Sequence, residues 1–455
     1  MVGGMLHHRL AAPHNTVIAF SDLAGAFSYA LDLTEGQPAG HAIRCCYIAG
    51  RVADLLGVDA SGLAHVHYTA LLKDLGCSSN AARIAELYLA DDRAFKQRWK
   101  TVPVGLPSTL RFVFRETGRT APFGQRIGAI AHILRHGDAI VHDMIVARCT
   151  RGADIARTLR RDEDVAKGIY HLDEHWDGSG RPDGLAGAAI PLGARLALLA
   201  QVADVFHQAA GRAAAIAEVA RRAGTWLDPA AARAFARLAD QEAFWRDLES
   251  PLIDALAAAR APVEAAPVDD DYLDAITAAF GQVIDAKSPY TAGHSTRVAD
   301  YAEEVAQRLD VPAARVRELR RAAALHDIGK LGVSSAVLEK PGKLDEAEWV
   351  EMREHAAHTN RILGRIGALS DMADLAAAHH EKLDGTGYPL GLKDHQIRRG
   401  TRIITVCDFF DALTADRPYR AAVPQDKALA IMAAEVGSAV DPDCFAALRE
   451  VVEAG

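Results

Sequence analysis

RVRELRRAAALHDI (315–328) spaces its apolar side chains three and four residues apart, then sets a histidine and an aspartate side by side in apolar surroundings. The spacing predicts an amphipathic helix carrying His326 and Asp327. Burying an aspartate there is costly unless something positive compensates it, and a metal ion is the natural candidate. Its two oxygens could bridge two ions. Outward from this point, RVADYAEEVAQRL (297–309) has the same period and no series of alternating strand patterns competes, so the chain reads as all-α. A second adjacent pair, His379-His380, closes a helical run just before the breaker-rich DGTGYP (384–389). At a helix end, neighbouring side chains that would otherwise diverge can be aimed at one centre.

The chain has 455 residues, enough for two domains with their own cores. A net charge of −9 argues against duplex nucleic acid or an acidic membrane surface as a partner. Six cysteines with no CxxC pair read as reduced thiols in a cytoplasmic protein. Long apolar stretches are soon interrupted, as Arg195 and Asp204 interrupt ARLALLAQVADVF, so no membrane segment is expected. The stretch AARAPVEAAPVDDDY (258–272) separates two helical regions. It places a linker at 257–270 between a first domain, 1–256, and a second, 271–455.

The two halves repeat one another. GHAIRCCYIAGRVADLLGV (40–58) aligns with GHSTRVADYAEEVAQRLDV (293–311), and LLKDLGC (71–77) with ALHDIGK (324–330), both at an offset of 253. HLDEHWDGSGRPDGL (171–185) aligns with AHHEKLDGTGYPLGL (378–392), and GARLALLAQVADVF (193–206) with GTRIITVCDFFDAL (400–413), both at 207. Four blocks in one order point to duplication, and the difference, 253 − 207 = 46, is the number of extra residues in the first half between the second and third blocks.

YTAGHSTRV, LHDIGKLGV, EKPGKLDEAEW, a histidine at 355, HHEKLDGTGYP and RIITVCDFFDALTADRPYR together resemble the HD superfamily of metal phosphohydrolases, and within it the HD-GYP branch. The resemblance covers 285–445 and implies a helical-bundle fold in each of two tandem domains. It also implies that His294, His326, Asp327, His355, His379, His380 and Asp408 are metal ligands, with Asp327 as the bridge. Asp327 and Lys330 would be catalytic, and Tyr388, Arg417 and Arg420 would bind substrate. Tyr290 stands where some members carry a glutamate for a third metal, so two divalent ions are expected, iron or manganese. The reaction implied is hydrolysis of cyclic di-GMP to linear pGpG, in some members to GMP.

In the first half the seven ligand positions read His41, Lys73, Asp74, Arg148, Leu172, Asp173 and Gln201. Only His41 and Asp74 survive, and Lys73 and Arg148 bring positive charge where cations would sit. This half reads as a degenerate copy with a dimerisation or regulatory role. A cyclic dinucleotide is the expected partner, with a homodimer left open. Two other readings remain: a phosphohydrolase acting on another nucleotide or a different cyclic dinucleotide, and a nonhydrolytic nucleotide-signalling adaptor.

Overall fold

A computed structural model of the chain describes residues 20–103, 105–119, 121–262, 269–367, 369–416 and 420–454. Arg417 and residues 263–268 of the expected linker lie outside them. The described residues are helical throughout, with no strand beyond three isolated bridges, as the spacing predicts. None of their helices is long and apolar enough to cross a membrane.

The repeat is visible element by element. Helices Phe20–Glu35, His41–Leu55 and Ala60–Leu72 correspond to Asp270–Asp285, His294–Arg308 and Ala313–Ala324, and Leu192–Ala210 corresponds to Arg399–Thr414. Ala81–Tyr88 is a longer counterpart of Ser335–Leu338, and the extra residues of the first half form the helices Asp92–Trp99 and Leu106–Glu116 and lengthen the next one to Phe123–Thr158. They make a small apolar cluster of their own around Phe95, Phe112 and Ile133.

Elsewhere one apolar core runs through both halves. The Phe20–Glu35 helix packs on the Ile328–Gly332 turn and the Glu346–Leu363 helix of the second half. Reciprocally, Asp270–Asp285 packs on Cys77–Asn80 and Phe123–Thr158 of the first. Phe27 and Phe280, equivalent at the offset of 253 (280 − 253 = 27), are fully buried and stack on each other. Such reciprocity is the mark of an isologous contact, built here between two copies within one chain.

A candidate metal centre and its altered twin

The helix expected to carry His326 and Asp327 stops short of them. Ala313–Ala324 ends first, and the pair occupies the turn before the 3₁₀ segment Ile328–Gly332. Successive residues of a helix point about 100° apart, so leaving the helix lets both side chains face one centre. The turn is held by Thr359, whose hydroxyl donates to the His326 carbonyl at 3.0 Å and accepts from the Gly329 amide at 3.0 Å. A Cβ on Gly329 would collide with the His355 carbonyl, so glycine sets how closely this turn approaches the Glu346–Leu363 helix.

Six of the seven residues singled out as ligands converge on Asp327 or on one another through the His Nε2 atoms. His294 and His326 place Nε2 3.5 and 3.3 Å from Asp327 Oδ2, and 3.4 and 3.7 Å from Asp408 Oδ1. His355 and His379 each place Nε2 3.7 Å from Asp327 Oδ1. The seventh, His380, joins His355 and His379 in a three-histidine group. The two carboxylate oxygens of Asp327 thus face two different donor sets.

The outward nitrogens are committed. His326, His355 and His379 donate Nδ1–H to the carbonyls of Ala323, Met352 and Ala376, three residues back, at 2.7, 2.5 and 2.6 Å. Each bond turns its ring so that Nε2 points inward. Burial then pushes His355 down to about 4 and His379 to about 3, keeping both rings neutral. Burial alone would raise Asp327, yet Lys330 and His326 hold it well below the usual carboxylate range. Asp327 Oδ1, His355 Nε2 and His379 Nε2 are buried with no hydrogen-bond partner. Buried polar atoms are rarely left so, and neutral imidazoles with a carboxylate suit a divalent transition-metal ion.

Around this centre, Lys330 ion-pairs with Asp327, and the Tyr388 ring stacks on His380 with centroids 4.7 Å apart. Arg420 donates to the carbonyls of Ala412 and Leu413 at 2.6 and 2.9 Å, anchored at the end of the helix that carries Asp408.

Sequence reasoning missed three supporting residues. Asp411 accepts from His294 Nδ1 at 2.6 Å and is gripped by Arg297 at 2.6 and 3.0 Å. Glu381, buried, accepts from the amides of Leu390 and Leu392 and so holds the DGTGYP loop. All three have identical counterparts in the first half, Asp204, Arg44 and Glu174. Identity between the repeats at positions outside the ligand set was the signal that could have found them.

The first half keeps this frame and changes its centre. His41 Nδ1 pairs with Asp204 at 2.7 Å and Arg44 grips the same carboxylate at 2.6 Å. His41 Nε2, however, meets the buried Lys73 ammonium at 3.2 Å, and Lys73 is ion-paired with Asp74. Burial and the Lys73 charge push His41 down to about 4, so it accepts from that ammonium. Arg148 and Asp173, which replace His355 and His380, form an ion pair. A fixed cation thus sits among the surviving acidic and imidazole groups.

Comparison with known proteins agrees with this duplicated architecture. The HD domain profile matches residues 120–231 and 279–444, one segment in each half. A 3'3'-cGAMP-specific phosphodiesterase of Vibrio cholerae is 50% identical over 95% of this chain and 94% of its own length. A cyclic di-GMP phosphodiesterase of Pseudomonas aeruginosa is 40% identical, but over only 36% of this chain and 39% of its own. Among solved structures, a cyclic GMP-AMP-specific phosphodiesterase of Vibrio cholerae matches with a TM-score of 0.66 and 44% identity, covering 95% of this chain and 97% of that one.

Proposed function

Since the chain belongs to the HD domain family, and is on that footing a phosphodiesterase of cyclic dinucleotides, we propose that residues 271–455 are its catalytic part and 3'3'-cGAMP its preferred substrate. The carrying observation is the extent of the match. The cGAMP-specific relative aligns along both halves, whereas the cyclic di-GMP enzyme of Pseudomonas aeruginosa aligns over barely a third of the chain. Cyclic di-GMP, the substrate implied by the motifs alone, therefore becomes the second reading.

In this proposal His294, His326 and Asp408 hold one ion, His355, His379 and His380 the other, and Asp327 serves both. Iron or manganese is the proposed metal. When bound, a pair of divalent ions supplies an activated water and neutralises charge developing on the phosphate. The chain's own contribution is orientation. The carbonyls of Ala323, Met352 and Ala376 and the Asp411 carboxylate aim the imidazoles. Lys330, beside Asp327, offers an ammonium to a phosphate oxygen or the leaving group. Tyr388 walls the site against His380. Arg417 and Arg420 are proposed to pair with substrate phosphates, so Arg420→Ala should raise KM without changing metal content.

The test is a product-resolved assay of the purified protein with Mn(II) or Fe(II). Faster hydrolysis of 3'3'-cGAMP than of cyclic di-GMP supports the proposal, the reverse order replaces its substrate, and binding without turnover leaves the adaptor reading.

A further inference from the structure

The first half contains a cavity of about 330 Å³ where its metal centre would have been. Its wall includes Arg148, Gln201 and Arg181, which stand at the positions of His355, Asp408 and Tyr388 in the second half. Lys100 and Arg222 bring the cations in the wall to four, against the single carboxylate of Asp173. A second chamber of about 190 Å³ shares Trp99, Lys100, Arg148 and Asp173 with the first and extends it inward.

These cations are held in place rather than free. Lys100 is paired with Glu35 at 2.6 Å, Arg222 with Glu218 at 2.6 Å, Arg148 with Asp173, and Arg181 with the exposed Asp138. A guanidinium has five N–H donors and one carboxylate engages two at most, so each arginine retains donors for a second anion. The wall is also aromatic. His175 stacks on Trp226 at 4.2 Å with Arg222 at 4.2 Å from the same indole, which makes one side rigid. On the rim, Trp99 is 40% exposed and offers an indole surface to a base.

We propose that this cavity is a metal-independent nucleotide site, in which fixed arginine and lysine charges take the phosphate and Trp99 takes the base. Its size, at the low end for ligand pockets, fits one nucleoside monophosphate unit, either a free mononucleotide or half of a dinucleotide. The Lys73 ammonium on His41 and Asp74 makes a metal ion unnecessary beneath it.

The experiment is a titration of the full-length, metal-loaded protein, read by tryptophan fluorescence, since four of the five tryptophans (Trp99, Trp176, Trp226 and Trp245) lie in the first half. The probes are GMP, AMP, the linear dinucleotide product and inorganic phosphate, each with and without EDTA. Saturable quenching that survives EDTA is expected, weakened about tenfold or more by Arg181→Glu. Turnover of the cyclic dinucleotide and the melting curve should be unchanged in that variant. Should Arg181→Glu fail to fold, Trp99→Ala at the exposed rim must lower affinity instead. Competition by mononucleotides identifies a free mononucleotide as the source, and quenching by the linear dinucleotide alone identifies the product. Absence of saturable quenching, its loss in EDTA, response to phosphate but to no nucleotide, or indifference to both substitutions would each overturn the proposal.

Discussion

Asp327 is the residue on which both donor sets depend, because its two oxygens face different histidines. Asp327→Asn keeps the shape and removes the charge, so both metals should be lost together and hydrolysis should fall by orders of magnitude in a protein that still folds. Metal analysis beside a turnover assay checks this, and a variant with wild-type turnover would refute the bridging role. The equivalent change in the first half differs in kind. Asp74 is the carboxylate that compensates the buried Lys73, so Asp74→Asn should cost about 3–5 kcal/mol of stability while the folded fraction keeps its activity. Replacing both, as Lys73→Met with Asp74→Asn, should recover much of that loss in a denaturant titration. Asp411→Asn leaves the ligands intact but frees the His294 ring, and should weaken metal binding about 10–100-fold.

At the scale of elements, helices were legible because a 3.6-residue apolar period is carried by many residues at once. The candidate ligand set came from motif spacing and the resemblance it carries, and the fold brings its members together. The early stop of the helix before His326 was not, since AAALHD is locally good helix sequence and the turn is imposed by Thr359 and by the close approach at Gly329. Those are tertiary contacts between segments thirty residues apart, beyond any local pattern. Asp411 and Glu381 escaped notice for a similar reason, reading singly as ordinary surface acids until the fold buries them. Gly329→Ala should accordingly displace His355 and lower metal content, measured by elemental analysis of the folded variant. The Ala60–Leu72 helix supplies a pH prediction. Burial, and then Arg260, push His67 down to about 4, against roughly 6.5 in the unfolded chain. The unfolded state therefore binds the extra proton, and the His67 contribution is present above pH 6.5 and lost as pH falls toward 4. Asp32, raised to about 7 by burial, acts in the opposite sense, so the measurement must be a difference. His67→Gln should gain stability relative to the wild type as pH is lowered through that window, and parallel melting profiles would contradict it.

The whole molecule behaves, on this structure, as one cooperative body rather than an enzyme with an appendage. Phe27 and Phe280 stack across the pseudo-twofold, and the inserted Asp92–Trp99 helix reaches into the second half. There Asp92, fully buried, accepts from Lys287 at 2.9 Å and from the Ser335 amide at 2.9 Å. Lys287 precedes His294 in the chain and Ser335 follows Asp327, so a residue of the first half braces segments on both sides of the candidate metal centre. Asp92→Ala would strand a buried ammonium, at about 3–5 kcal/mol, and Phe27→Ala would open a cavity of similar cost, about 3–5 kcal/mol. Although both changes lie in the first half, each should lower the melting of the entire chain in a single transition and reduce the metal-loaded, active fraction of the second half in parallel. Adding Lys287→Met to Asp92→Ala should restore much of the loss, because it removes the stranded charge. Calorimetry of the full-length variants decides the matter: two resolved transitions, with only the first shifted by Asp92→Ala or Phe27→Ala, would mean that the halves fold independently and that the brace does not support the metal centre.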